Sequence, residues 1–143
     1  MNNYYFKCSF EIKDNYNDKV YKINNYKEAK RFGAIASISE IASIASDIFS
    51  SYEFELSEDI KNSIISFSKR DDEIYGQLSL IPKKDRDISS KSISFIKKQF
   101  KGIDNKIKVH NFLLKDNNGI IKNKSYEVYM IIDNRLEEKL WKQ

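Results

Sequence analysis

Residues 3–13 alternate strictly between apolar and polar. Tyr4, Phe6, Cys8, Phe10 and Ile12 fall on one side, with Tyr5, Lys7, Ser9, Glu11 and Lys13 on the other. Period 2 held over this length predicts a strand with one buried face and one solvated face. Asp14-Asn15-Tyr16-Asn17-Asp18 supplies turn formers, and 19–23 returns as the second arm of a hairpin. Asn25 is then placed to cap a helix, with Glu28 in the capping-box position. Over 33–49 the period changes. Ile35, Ile38, Ile41, Ile44 and Ile48 recur at spacings of three and four, a helical stripe, while Ala and Ser fill most other positions. A helix so poor in long charged side chains is expected to be enclosed on more than one face. It is either the central core helix or, over 34–49, a surface that packs on its twin in a homodimer.

Further along, Ser57 is positioned to cap a second helix, with Glu58 and Asp59 in its first turn and Lys69 and Arg70 near its end. Ile60, Ile64 and Phe67 would form its buried stripe. Residues 73–81 read as a strand stopped by Pro82. Asp87 is expected to cap a third helix carrying Ile88, Ile93, Ile96 and Phe100, with Gly102 ending it. The runs 106–115 and 120–133 flank Asp116-Asn117-Asn118-Gly119, and Asn-Gly between two such runs is the clearest hairpin signal in the chain. The tail, 134–142, reads as a short amphipathic helix through Leu136, Leu140 and Trp141. The resulting order, ββααβαββα, predicts an α+β fold. It would be one domain over 1–143, with an antiparallel sheet of about five strands packed by the Ala/Ser/Ile-rich helix.

Composition narrows the class of function. The chain has one histidine, His110, and one cysteine, Cys8. General acid–base, nucleophilic and metal chemistry usually needs two or more such groups brought together, so a binding surface is favoured over a catalytic site. One cysteine makes no intrachain disulfide, which makes a reducing, cytoplasmic compartment the expectation. No apolar run approaches the roughly 18 residues of a membrane span, and the first residues lack the pattern of a signal peptide. The abundance of Lys, Asn, Ile and Tyr reflects A/T-rich codons. That points to an A/T-rich genome or mobile element, a setting rich in small inhibitors and immunity proteins.

Net charge is +4 but unevenly spread. Between 83 and 108 lie nine cations, Lys83, Lys84, Arg86, Lys91, Lys97, Lys98, Lys101, Lys106 and Lys108. Against Asp85, Asp87 and Asp104 they leave a segment of +6. Residues 53–73 carry seven acids against Lys61, Lys69 and Arg70, a segment of −4. This bipolarity matters more than the total.

The remaining motifs are weak. Ser66–Lys69 and Ser94–Lys97 match a Ser-x-x-Lys pattern, but no Ser-Asp-Asn or Lys-Thr-Gly partner accompanies them. Asp71-Asp72-Glu73, Asp104-Asn105-Lys106 and Glu11-Ile12-Lys13 resemble fragments of cation sites without the second carboxylate such sites require. A solvated turn is the better reading for each. Cys8 alternates with Phe6 and Phe10, as a small core residue would. His110 stands without a partner, and four glycines leave little from which to build a phosphate loop.

The expected function is therefore non-catalytic protein binding. The chain would be a small inhibitor or immunity-type protein that covers a partner's active surface, its nine-cation segment meeting an acidic patch. Neither catalytic residues nor metal or other cofactors are expected. A DNA mimic would need a negative surface. The competing reading is a nucleic-acid-binding protein that uses the same cations, with exposed sheet tyrosines stacking on bases.

Overall fold

The computed structural model of the chain describes residues 2–25, 27–28, 46–49, 52–84, 86–108 and 126–139. Over these residues the protein is mostly antiparallel sheet, curled into a half-barrel, with little helix. The elements are β1 (Asn2–Asp14), β2 (Val20–Ile23), β3 (Ile60–Arg70), β4 (Glu73–Pro82), α1 (Ser90–Lys101), β5 (Lys106–Lys108) and β6 (Tyr126–Ile132). The sheet runs β3-β4-β1-β6-β5, with β2 also on β1.

β1 organises the sheet because it is long enough to serve two sets of neighbours. Along one edge its first half pairs with β4, Tyr4 opposite Leu78 and Phe6 opposite Gly76, and its second half pairs with β2. Along the other edge Cys8–Asp14 pairs with β6, and Tyr5 exchanges two backbone hydrogen bonds with Glu137. The alternation read from sequence holds at every position: Tyr4, Phe6, Cys8, Phe10 and Ile12 are all buried. Asp14 and Asn17 close the β1–β2 turn, accepting from the amides of Tyr16 (2.8 Å) and Lys19 (3.0 Å). Asn25 accepts from the Glu28 amide (2.8 Å), the predicted capping contact, while Glu28 Oε2 accepts from the Asn24 amide (2.7 Å).

The second predicted helix is a strand. The run Ile60-Lys-Asn-Ser-Ile-Ile-Ser-Phe-Ser-Lys-Arg carries a helical stripe at 60, 64 and 67, but also a strand alternation through Ile65 and Phe67. β-Branched, aromatic and serine residues are indifferent helix formers, and the first two kinds fit a pleated surface better. A bulge lets the strand bury both ends of its apolar set. Ile60 lies opposite Pro82 and Asn62 opposite Ile81, so Lys61 is the extra residue. That shift returns Ile60 to the inner face shared by Ile65 and Phe67, and leaves Ile64, an expected core residue, 46% exposed. Ser57 starts no helix; its carbonyl accepts from the Ile60 amide in a turn (3.0 Å). The named elements over described residues thus run as four strands, α1 and two strands, with helical residues also at 27–28 and 46–49, and the second α of ββααβαββα is replaced by a strand.

Two clusters fill the inner face. One gathers Phe6, Phe10, Ile12, Phe49, Phe67, Phe100 and the inward residues of β6 around the β1–β6 half. The other gathers Tyr4, Ile60, Leu78, Leu80 and Ile96 around the β1–β4 half. Phe6 is the hinge of the aromatic packing, with ring centroids 4.8 Å from Phe100 and 5.8 Å from Phe67, the latter edge-on. It reaches Phe67 across Gly76, the residue opposite both. A β-carbon at 76 would fall inside the Phe6 ring. Burial pushes the Cys8 thiol strongly up, so it is a packed, protonated core group.

Of the expected central helix over 33–49, residues 46–49 are helical, with Phe49 buried. The rest, and with it the homodimer surface expected over 34–49, lies outside the described residues. So do His110 and the Asn118-Gly119 turn. β5 and β6 pair antiparallel as the predicted hairpin requires, Ile107 opposite Met130. The tail is not helical over its described part. Residues 134–136 are irregular and Glu137 bridges to Tyr5, because Leu136 is packed against both core clusters; Leu140 and Trp141 lie outside the described residues. No helix among the described residues is long and apolar enough to cross a membrane.

Candidate functional site

α1 lies across the inner face with Ser92, Ile96 and Phe100 buried. Of its predicted stripe, Ile93, Ile96 and Phe100 lie on the helix while Ile88 precedes it, and its cap is Ser89 and not Asp87. The Ser89 hydroxyl oxygen accepts from the Ser92 amide at 3.2 Å. Asp59, at the start of β3, completes this end by accepting from the Ser89 amide (2.8 Å) and the Ser92 hydroxyl (2.7 Å). Those donors hold the Asp59 carboxyl below its ordinary range.

Two side-chain amides fix the flanks. Gln99 exchanges hydrogen bonds with the backbone of Glu55, donating at 2.9 Å and accepting at 2.8 Å, so it ties one flank to the chain entering β3. Asn134 covers the C-terminal end, its Nδ2 donating to the carbonyl of Ile103 at 2.7 Å and lying 3.3 and 3.4 Å from those of Phe100 and Lys101. The other flank is thereby held a groove's width from residues 134–136.

That groove, about 430 Å³, is lined by Ser94, Lys97, Lys98, Lys101, Asn134, Arg135 and Leu136. The four cations surround an apolar floor supplied by Leu136. Among the described residues Lys97, Lys98 and Lys101 have no carboxylate in ion-pair reach, and Arg135 has Asp133 at 3.0 Å. That pair holds Asp133 below and Arg135 above their ordinary values. The Lys97 ammonium sits 4.8 Å from the centroid of the buried Tyr4 ring. The aromatic face tethers the charge there without neutralising it.

The nine cations of 83–108 do not form one face. Lys97, Lys98 and Lys101 share the groove. Arg86 and Lys91 line a separate recess at the N-terminal end of α1 with Glu58, Asp59, Ser92 and Phe95, where both signs are present. Lys83 and Lys84 are exposed in the segment leaving β4. Lys106 and Lys108 lie on the opposite face of the sheet and are paired, Lys106 with Glu11 at 2.9 Å and Lys108 with Glu127 at 3.8 Å. The Glu11 contact raises the Lys106 ammonium above its ordinary value. Tyr129, 4.8 Å from the Lys106 ammonium, is raised by its hydrogen bond to Glu127.

Tyr5, Tyr75 and Tyr129 also belong to that outer face, since they alternate with residues buried against α1. Arg135 is not among the cations read from sequence and Leu136 reads there only as the apolar side of a tail helix, because nothing local places 135 beside 98; the pin at Asn134 does. A further recess, at the seam where β1 changes partners, brings Lys7, Glu73 and Asp133 near Ser9 and Asn24. Among the described residues no three His, Cys, Asp or Glu side chains gather as a metal site would require. Ser66–Lys69 lies on a strand and Ser94–Lys97 on the groove wall. Asp71 and Asp72 form the β3–β4 turn. No protein-family model, curated protein or solved structure matches this chain.

Proposed function

We propose that the protein is a non-catalytic binding module whose α1 groove docks an acidic surface of a partner protein and occludes it, in the manner of a small inhibitor or immunity protein from a mobile element. The observation that carries this reading is the composition of α1's exposed side. The helix bears four lysines and no carboxylate, three of them on a groove that a fifth cation, Arg135, closes from the far wall. Lys97 and Lys101 stand at i and i+4, a like-charge spacing that costs an isolated helix a few tenths of a kcal/mol. Lys91 places a further positive charge in the first turn, against the helix dipole. Lys98 and Lys101 suit the dipole in the last turn, but Lys91 and the Lys97/Lys101 spacing give a purely structural helix nothing, whereas a surface that meets carboxylates gains from them. Leu136 supplies the apolar contact that turns charge steering into a defined fit.

The nucleic-acid reading needs cations and stacking tyrosines on one surface. Here the groove and Tyr5, Tyr75 and Tyr129 lie on opposite faces, and the outer-face lysines 106 and 108 are already matched by acids. That geometry favours the protein partner.

The test is to recover the tagged protein from its native host at moderate salt, with and without nuclease, and compare it with Lys98→Glu/Lys101→Glu and Lys97→Glu/Lys98→Glu/Lys101→Glu variants. One stoichiometric protein that survives nuclease, bound at least tenfold more weakly by both variants while their melting temperatures stay near wild type, is the expected result. Recovery of nucleic acid alone, or of a partner indifferent to the reversals, sinks the proposal.

A further inference from the structure

β3 is an outer strand of the sheet, and its free edge can be read residue by residue. Tyr5 spends both backbone groups on Glu137, so Tyr4 and Phe6 are the β1 residues that bond β4. The even residues of β4 thus face β1 and its odd residues face β3. Through the register, Ile64, Ser66, Ser68 and Arg70 bond β4, while Ser63, Ile65, Phe67 and Lys69 point their N–H and C=O away from it. At Ser63 the N–H is already taken by the Asn62 side chain at 2.8 Å. Among the described residues the amides of Ile65, Phe67 and Lys69 have no acceptor. Natural sheets shorten or distort such edges; here the bulge sits at one end and leaves the remaining stretch regular.

We infer that this edge pairs antiparallel with the same edge of a second copy, about a two-fold axis at Ser66. That register follows from the residues. It is the one centred on the four outward-facing positions, and it sets Ile65 of each copy opposite Phe67 of the other, a β-branched–aromatic pair of the kind that stabilises sheets. Ser66 meets its own twin, and the 46% exposed Ile64 comes to lie opposite Ser68. Lys61 reaches the level of the other copy's Asp71-Asp72 turn, opposite charge on opposite charge. A one-residue slip of the axis toward Ile65 would carry Lys61 away from that turn, so charge disfavours that slip. With Ser63 half-satisfied by Asn62, the pairing forms about six backbone hydrogen bonds. An interface this small is of the transient class. It shares no residue with the α1 groove, so either proposal survives the failure of the other.

Amide hydrogen exchange of the intact protein, at about 20 µM and about 1 mM, tests the inference residue by residue, since the expected weak pairing separates those concentrations. Exchange at Ile65, Phe67 and Lys69 should slow at least tenfold at the higher concentration, while Ser66 and Ser68, already bonded to β4, stay unchanged. Ile65→Pro removes an N–H that has no acceptor in the single copy and should abolish the concentration dependence. Should that variant fail to fold, Lys61→Glu, an exposed change, should weaken the pairing without lowering the melting temperature. Exchange at the odd positions that ignores concentration would overturn the inference, as would self-association that protects other residues or persists undiminished in the variants.

Discussion

At Gly76 one hydrogen atom stands where any other residue would carry a carbon. The Phe6 ring lies over it, bounded by Phe49, Phe67 and Phe100, so it cannot retreat without disturbing three further rings. Gly76→Ala should therefore cost about 2–3 kcal/mol, the scale of an overpacked core, measured by chemical denaturation. Phe6→Leu in that background should recover part of the loss, although Phe6→Leu alone is destabilising. The reverse effect is expected at Asp71, the first residue of the β3–β4 turn, whose φ of 53° is left-handed. Asp71→Gly should stabilise the protein by roughly 1 kcal/mol by removing a β-carbon from that conformation. The Gly76 requirement was not legible in sequence, since it depends on which strand lies opposite. Asp71 reads from sequence as part of a solvated turn, and it is, but the turn joins two strands where a helix and a strand were expected.

At the level of elements, α1 is held by residues distant in sequence. Asp59 carries its N-terminal end, and its carboxyl is held below the ordinary value of 3.8 by the Ser89 amide and the Ser92 hydroxyl. A group whose pKa is lower folded than unfolded favours the folded state when ionised. Its contribution is fully present above the unfolded value and lost as pH falls through the folded one. Asp59→Asn should accordingly lower the melting temperature near pH 7, and the gap to wild type should narrow progressively once pH drops below 3.8. A gap equally wide at acid pH would mean that charge plays no part. Asn134 holds the other end, and Asn134→Ala, which strips one side chain from three carbonyls, should cost about 1–2 kcal/mol. The elements with one dominant period were legible: β1, β4, the core stripe of α1 and its stop at Gly102. β3 was not, because a bulge lets a strand carry apolar residues at helical spacing. Ser57-Glu58-Asp59 has the composition of a cap, and Asp59 does brace the start of a helix, but that of α1, through Ser89 and Ser92.

At the scale of the molecule, the nine-cation segment was legible as a charge excess but not as a surface. Chain reversal at Gly102 sends Lys106 and Lys108 to the face opposite α1, and Asn134 brings in Arg135 from outside the segment. The same connectivity governs how the fold comes apart. β1 is shared by the β3–β4 half and the β2–β6–β5 half of the sheet, and Phe6 and Phe100 join the inner faces of both. If either half opened alone, β1 would have to shed one row of hydrogen bonds while keeping its buried residues packed against the other. Alternation makes that costly, because every inward residue of β1 belongs to one of two clusters that meet beneath α1. Native-state hydrogen exchange under increasing denaturant should therefore show the bonded amides of β4 and of β6 converging on one opening free energy, equal to that of global unfolding. Two distinct plateaus would show that the seam at Cys8 divides the sheet into separately stable halves. Within such a cooperative unit a cut through α1's anchors lowers both sets of amides together. Asn134→Ala, chosen because its contacts are confined to the C-terminal end of α1, should reduce protection in β4 and β6 by the same amount; a loss confined to β6 would place the helix with one half only.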